Sequence, residues 1–262
     1  MPWSRTNGLD IYYEVAGEGP PLVLLHANPF DHTMWLYQIA HYSRRYTVVA
    51  VDLRGYGRSA KPETAFTFED MANDVLGVVR DLRYSSAGLI GASIGATLAL
   101  AIALDHPDLV RALVLVGGEA GNPPVFAKLA ANYADKPLAV QRREHVAMIA
   151  DPGFAASALG RHLIETALEN TPALSGKAIA QIFRARTAVD LRSRLGTVSA
   201  PTLVINGVSD VSLESGLYTA HRIPDAVHRV VPASGHLCCL ENPAAFDALV
   251  LGFLDGQGLG GA

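Results

Sequence analysis

The stretch Gly91-Ala92-Ser93-Ile94-Gly95 decides how the chain folds, because it sets a serine between two glycines. The apolar residues 87–90 before it predict a short buried strand. Residues 96–104 after it are apolar on every side, which is typical of a helix enclosed within a protein. Glycine tolerates the backbone of a sharp strand-to-helix turn, where a serine hydroxyl projects above a sheet. The stretch therefore predicts that Ser93 is a nucleophile.

Length and composition are those of one large folded domain. The chain has 262 residues, of which 50% are hydrophobic and 18% charged, so disorder is not expected outside the ends. A formal net charge of −4 without a basic cluster argues against a nucleic-acid partner. Residues 1–5 lack the apolar core of a signal peptide, and the longest apolar stretch is too short to span a bilayer. We therefore expect a cytoplasmic protein with no membrane partner, in which the adjacent Cys238 and Cys239 are free thiols.

Short runs rich in Val, Leu and Ile predict buried strands. Segments of helical period separate most of these runs, including one with Thr67 and Asp70 placed as an N-terminal capping box and one that opens with Pro243. Strand alternating with helix predicts an α/β fold with a mostly parallel central sheet flanked by helices. The predicted strands are residues 22–25, 47–51, 88–90, 112–116, 202–205 and 229–231, with residues 9–15 as an edge strand.

The alternation stops between residues 119 and 195. Helical stretches there are separated by proline breaks at 123–124, 136–137, 151–153 and 171–172, and no strand is evident. A helical insertion between two sheet strands predicts a cap over the C-terminal edge of the sheet, where open α/β sheets bind ligands. We therefore predict a core domain of residues 1–118 and 196–262 with a helical cap of residues 119–195. Arginines of this cap could meet a substrate carboxylate: Arg142, Arg143, Arg161, Arg184 and Arg186.

Candidate partners for the serine follow later strands of the predicted sheet. A nucleophilic serine needs a base that takes its proton and an acid that orients the base. Asp210 lies on a loop that leaves a predicted strand, and His236 comes just after the last one. The order Ser, then Asp or Glu, then His suits a serine at such a turn. Glu119 is the alternative acid, and loop position favours Asp210.

Five motifs stand in order along the chain: His26-Ala27-Asn28-Pro29, Asp52-Leu53-Arg54-Gly55-Tyr56-Gly57-Arg58-Ser59, Gly91-Ala92-Ser93-Ile94-Gly95, Gly207-Val208-Ser209-Asp210 and Gly235-His236. With these motifs the chain resembles the α/β-hydrolase superfamily from about residue 9 to residue 254. The segment that runs from Gly235-His236 to Pro243 is similar to the capped esterase and enol-lactonase branch, including 3-oxoadipate enol-lactonases.

The resemblance implies an oxyanion hole made of two backbone N–H groups, those of Asn28 and Ile94. We expect His26, which precedes this loop, to support it through hydrogen bonds rather than to take part in chemistry. Ala27 departs from the pattern, since glycine is usual there. If the backbone at Ala27 had positive φ, alanine would cost about 1 kcal/mol.

Together these residues predict a serine hydrolase that cleaves a small carboxylic ester or lactone through an acyl-enzyme intermediate. The predicted catalytic residues are Ser93, Asp210 and His236, with no cofactor and no metal. A serine at position 93 argues against epoxide hydrolysis or dehalogenation through an aspartyl ester. Two alternatives stay open. One is another reaction on the same scaffold, such as perhydrolysis of the haloperoxidase type, C–C bond hydrolysis or lyase chemistry. The other is a non-catalytic small-molecule binding protein.

Overall fold

The computed structural model describes residues 2–169 and 174–259, which form one eight-stranded sheet with helices on both sides. The strands are β1 Trp3–Thr6, β2 Leu9–Ala16, β3 Pro21–Leu25, β4 Thr47–Val51, β5 Ala87–Ala92, β6 Val110–Val116, β7 Thr202–Gly207 and β8 Val227–Val231. Their order across the sheet is β1-β2-β4-β3-β5-β6-β7-β8. Only the β1–β2 and β2–β4 pairs are antiparallel. This architecture confirms the predicted α/β fold.

The helices occupy the segments between the strands and the end of the described chain. They are α1 Leu36–Tyr42, α2 Phe68–Asp81, α3 Ile94–Asp105, α4 Val125–Asp135, α5 Leu138–Ile149, α6 Pro152–Ala156, α7 Ala158–Glu169, α8 Gly176–Thr187, α9 Leu213–Arg222, α10 Cys238–Glu241 and α11 Pro243–Gly256. Helix α3 is buried along nearly its whole length, because it packs against β3, β5 and β6 of the sheet and against helix α2.

The predicted strands and the predicted capping box are confirmed, with one exception at the edge. At the start of α2, the Thr67 hydroxyl accepts from the N–H of Asp70, whose carboxylate accepts from the N–H of Thr67. The prediction that residues 9–15 form an edge strand is wrong, since β1 pairs outside β2. The short β1 has no apolar run to reveal it, and Trp3 within it is exposed.

Helices α4 to α8 fill the segment between β6 and β7. No strand interrupts this segment in its described parts, and α4 packs mainly against α8. The predicted break at residues 171–172 lies outside the described residues. The division into core and cap stays a prediction, and we call residues 119–195 the helical segment below.

Two further sequence expectations concern cysteine and membrane association. Cys238 and Cys239 are free, as predicted, and both are fully buried, which raises the pKa of both thiols. Among the helices of the described residues, none has both the length and the apolar character needed to cross a bilayer.

Candidate active site

Ser93 stands alone between the end of β5 and the start of α3. Its φ of 53° lies in the left-handed region that serine rarely adopts. A Cβ at Gly91 would overlap the carbonyl oxygen of Gly95, and a Cβ at Gly95 would overlap that of Leu25. Both glycines are therefore required by close backbone packing. The N–H of Ser93 donates to the carbonyl oxygen of Val116 at 2.7 Å, which fixes the turn against β6.

Asp210 and His236 are joined by a hydrogen bond, in which Nδ1 of His236 lies 2.8 Å from Oδ1 of Asp210. The same Oδ1 accepts from the N–H and hydroxyl of Ser212 at 2.8 and 2.9 Å. Oδ2 accepts from the side-chain amide of Asn206 at 2.8 Å. Burial alone would raise the pKa of Asp210, but the charge and hydrogen bond of His236, together with the hydrogen bonds from Ser212 and Asn206, lower it to about 2.

The environment of His236 sets its protonation. Burial lowers the pKa of His236, but the charge and hydrogen bond of Asp210 outweigh burial and hold the pKa above its ordinary value. Since Nδ1 donates to the carboxylate, the neutral imidazole has its lone pair on Nε2. The ring can therefore act as a base through Nε2.

Ser93 and His236 line one cavity of about 300 Å³, which we call the Ser93 cavity. Asp210 lies behind the imidazole and is not part of the cavity wall. In the described residues, the Ser93 hydroxyl has no hydrogen-bond partner, so the structure places serine and imidazole in the same cavity without a bond between them. The remaining wall is mainly apolar and comes largely from the helical segment.

Glu119, the alternative acid, also lines the Ser93 cavity. Its Oε2 accepts a hydrogen bond from the Ser215 hydroxyl at 2.5 Å. No hydrogen bond between Glu119 and His236 is found in the described part of the chain, whereas Asp210 makes one. The geometry thus favours Asp210 as the partner of the imidazole.

The predicted oxyanion groups lie at the cavity wall. Asn28 and Ile94 both line the Ser93 cavity, and within residues 2–169 and 174–259 neither backbone N–H has an acceptor. The side-chain oxygen of Asn28 accepts from the Tyr56 hydroxyl, so the amide group is held within the wall. Two backbone donors are therefore available to a ligand next to Ser93.

The loop that carries Asn28 is held by His26 from inside the protein. Nδ1 of His26 donates to the Ala27 carbonyl oxygen and Nε2 accepts from the N–H of Leu53, both at 3.0 Å. Burial lowers the pKa of His26, which keeps the ring neutral and suits this pairing. Ala27 is not among the residues with positive φ, so alanine in place of glycine brings no strain here.

Sequence reasoning missed Glu241, which ties the loop before His236 to the helical segment. Its carboxylate accepts from the N–H of Gly235 and, at 2.9 Å, from that of Asp151. The N–H of His236 also donates to the Ile149 carbonyl oxygen at 3.0 Å. Since the contacts with Asp151 and Ile149 join residues about ninety positions apart, no local sequence signal could have revealed them.

The arginines of the helical segment differ in their surroundings. Arg143 pairs with an exposed glutamate, and Arg142 and Arg161 donate to backbone carbonyl oxygens. Within the described residues Arg186 is the one of the five that lines the Ser93 cavity, and its terminal nitrogens also donate to backbone carbonyls. For Arg184, no contact among the described residues indicates a role.

One side-chain cluster outside the cavity has the composition of a metal site. Ligand atoms of Asp31, His32 and Asp52 lie within 4.8 Å of one another. Oδ1 of Asp52 already accepts from the backbone N–H and Nδ1 of His32, and Oδ2 accepts from the N–H of Arg58. Both oxygens of the Asp52 carboxylate thus accept hydrogen bonds from protein donors. The cluster is therefore explained as a set of contacts that hold the segments of His32 and Arg58 against Asp52.

Known proteins share this sequence pattern and this fold. A family model described as alpha/beta hydrolase fold matches residues 20–243. A 2-hydroxy-6-oxononadienedioate/2-hydroxy-6-oxononatrienedioate hydrolase from Burkholderia vietnamiensis is 31% identical over 94% of this chain and 91% of its own. A soluble epoxide hydrolase from Corynebacterium sp. is 42% identical over 110 residues, which cover 42% of this chain and 38% of that protein. The crystal structure of the enol-lactonase from Burkholderia xenovorans LB400 matches with a TM-score of 0.90 and 25% identity, covering 97% of this chain and all of that one.

Proposed function

Because the chain belongs to the alpha/beta hydrolase fold family, we propose that it is a cofactor-independent serine hydrolase that cleaves a small carboxylic ester or lactone. One observation carries the proposal. Ser93 occupies a strained turn in the same cavity as His236, whose Nδ1 bonds the buried Asp210 carboxylate at 2.8 Å. A nucleophile, a base and an orienting acid are the groups that acyl transfer requires.

In the first half of the reaction, Oγ of Ser93 attacks the substrate carbonyl carbon while Nε2 of His236 takes the hydroxyl proton. In unliganded enzymes this serine–histidine contact is often long and tightens when substrate binds. Asp210 holds the imidazole in the required tautomer and stabilises its charged form. The imidazolium then donates its proton to the leaving alcohol, or to the ring oxygen of a lactone, and an acyl-serine remains.

The negative charge on the carbonyl oxygen is stabilised by the backbone N–H groups of Asn28 and Ile94. These donors sit on fixed backbone, so they need no reorganisation as the charge develops. Losing one such donor typically lowers the rate by about 10²–10³-fold. Water that is deprotonated by His236 then attacks the acyl-serine and releases the acid.

The size and polarity of the Ser93 cavity support a small, mainly apolar substrate. Ligand pockets range over about 300–1,000 Å³, and this cavity of about 300 Å³ lies at the lower end. Its walls include Phe126, Leu129 and Phe183 of the helical segment, which keep bulk water from the reacting atoms.

The test is a panel of p-nitrophenyl esters and lactones, with fluorophosphonate labelling of the active serine. We expect the wild-type protein to be labelled and to turn over short esters or lactones. Ser93→Ala should lose the label and at least about 10⁴-fold in kcat. Ser85→Ala, at an exposed loop serine, is the matched control and should behave as wild type. Retained turnover in Ser93→Ala would move the function to a reaction that does not acylate serine.

A second candidate is hydrolysis of a carbon–carbon bond. The relative from Burkholderia vietnamiensis is named for a 2-hydroxy-6-oxo dienedioate, a compound without an ester or lactone bond, so its hydrolysis must break a C–C bond. Cleavage of such a compound, with no turnover of the ester and lactone panel, would favour this candidate.

A further inference from the structure

A second histidine, His145 of α5, lines the Ser93 cavity together with Ser93 and His236. Only 6% of its surface is exposed. The reaction proposed above gives it no role.

The ring of His145 is held in one orientation by Tyr133 of α4. The Tyr133 hydroxyl lies 2.9 Å from Nδ1 of His145, and the two rings meet edge to face with centroids 5.8 Å apart. Phe183 stacks on Tyr133 with a centroid distance of 5.6 Å and also contacts the imidazole. Both histidine and tyrosine are almost fully buried, so the pair has little freedom to rearrange.

This contact also fixes where the imidazole proton sits. Tyr133 has no acceptor other than Nδ1 among the described residues, and a buried hydroxyl proton without an acceptor is costly. Tyr133 therefore donates and Nδ1 accepts. In a neutral imidazole the proton then lies on Nε2, which makes that nitrogen a donor.

The imidazole of His145 stays neutral while His236 titrates. Burial lowers the pKa of His145 to about 3, and the nearby charge of His236 adds to this. Nε2 of His145 has no hydrogen-bond partner in the described chain. Part of its surface is nevertheless accessible, unlike that of the fully buried polar atoms that lack a partner. A neutral N–H donor thus remains available at the wall of the cavity.

We propose that Nε2–H of His145 is a specificity-determining donor for substrates with a second acceptor oxygen, a keto, ether or hydroxyl oxygen besides the reacting carbonyl. This inference rests on the proposed ester or lactone hydrolysis. Phe183 packs against the imidazole, and Leu129 and Ile149 line the same cavity, so a substrate oxygen near Nε2 has few other donors. A wholly alkyl substrate would leave the N–H unpaired in a dry wall, and sites built for a hydrogen bond reject such analogues.

The test compares p-nitrophenyl esters of equal acyl length: pentanoate, ethoxyacetate and 3-methoxypropanoate, which differ in whether and where an ether oxygen replaces a methylene. Each variant is compared with wild type on the same ester, so intrinsic reactivity cancels. His145→Leu should lower kcat/KM about five- to tenfold for at least one ether ester, the effect of one neutral hydrogen bond. For pentanoate the same substitution should leave kcat/KM unchanged or raise it, because it removes the N–H that this ester leaves unpaired.

Three further variants separate specificity from structure. His145→Gln keeps an N–H donor and should restore much of the preference for the ether ester. Tyr133→Phe frees Nδ1 to take the proton, so it should reduce the preference with little change in cavity shape, which makes Tyr133 a positioning residue. His162→Leu, at an exposed histidine of α7, should leave the preference as in wild type.

The outcomes distinguish the two proposals. If His145→Leu and Tyr133→Phe change kcat/KM by the same factor for all three esters, the donor role is wrong while ester hydrolysis stands. If wild type shows neither turnover nor fluorophosphonate labelling, the proposed function fails and this inference fails with it.

Discussion

Gly117 and His236 are in contact, and the imidazole occupies the space that a side chain at position 117 would need. A Cβ at Gly117 would lie 2.8 Å from both Cε1 and Nδ1 of His236 and 3.2 Å from Oδ2 of Asp210. Gly117 follows the last residue of β6 and has a φ of 58°. The absence of a side chain there lets the histidine–aspartate pair sit directly against the end of the sheet, with the imidazole in the cavity that Ser93 also lines.

Gly117→Ala should therefore damage catalysis more than its small size suggests. The added methyl group must displace the imidazole, and a misplacement of about 1 Å costs about 10²-fold in rate. Alanine at positive φ should also lower the free energy of unfolding by about 1 kcal/mol. The measurements are kcat/KM on the best ester and urea unfolding. Gly252→Ala, at an exposed helix position with open space, is the control and should keep full activity. Wild-type activity in Gly117→Ala would contradict this account of the contact.

Replacing each candidate acid in turn should identify the partner of His236. Asp210→Asn removes the charge that stabilises the imidazolium and favours the wrong tautomer, so we expect kcat to fall by about 10⁴-fold. Glu119→Gln should change kcat by less than about threefold, because Glu119 bonds Ser215 rather than the imidazole. Steady-state kinetics of the two variants on one ester decide the matter. The opposite ranking would assign the acid to Glu119.

The pH dependence of the reaction should report His236. Its base form is the neutral imidazole, so kcat/KM should rise with pH as His236 loses its proton. Asp210 holds the pKa of His236 above its ordinary value, so the midpoint should lie above about 6.5. In Asp210→Asn the lowering effect of burial is opposed only by the weaker charges of Glu241 and Glu119, so the midpoint of the residual activity should move to lower pH. A midpoint that is the same in both proteins would show that the carboxylate does not set this pKa.

The sequence was sufficient for the features that depend on local pattern. The buried strands follow from continuous apolar runs, and the turn at Ser93 follows from glycines that the backbone needs. His145 could not be found this way, because α5 buries the polar residues Gln141, Arg142 and His145, which hydrophobic periodicity assigns to solvent. The role of Gly117 depends on an imidazole more than a hundred residues later in the chain. Contacts of this kind are set by how elements pack and not by local propensity.

Ser93 itself should carry a cost in stability. Its φ of 53° with ψ of −114° is strained for any residue that has a Cβ, by about 1–3 kcal/mol. Ser93→Ala keeps the Cβ and the strain, whereas Ser93→Gly relieves it. Glycine also adds freedom to the unfolded chain, which offsets about 0.5–1 kcal/mol of the gain. We therefore expect Ser93→Gly to unfold at higher urea concentration than Ser93→Ala, by about 1 kcal/mol in the free energy of unfolding, with both variants inactive.

The matched pair Ser85→Gly and Ser85→Ala isolates the backbone term of this prediction. Ser85 lies in an exposed loop and is not among the residues with positive φ, so glycine there should lose stability relative to alanine. The sign of the glycine–alanine difference should thus be opposite at positions 85 and 93. The same sign at both positions would mean that the backbone turn at Ser93 stores no strain.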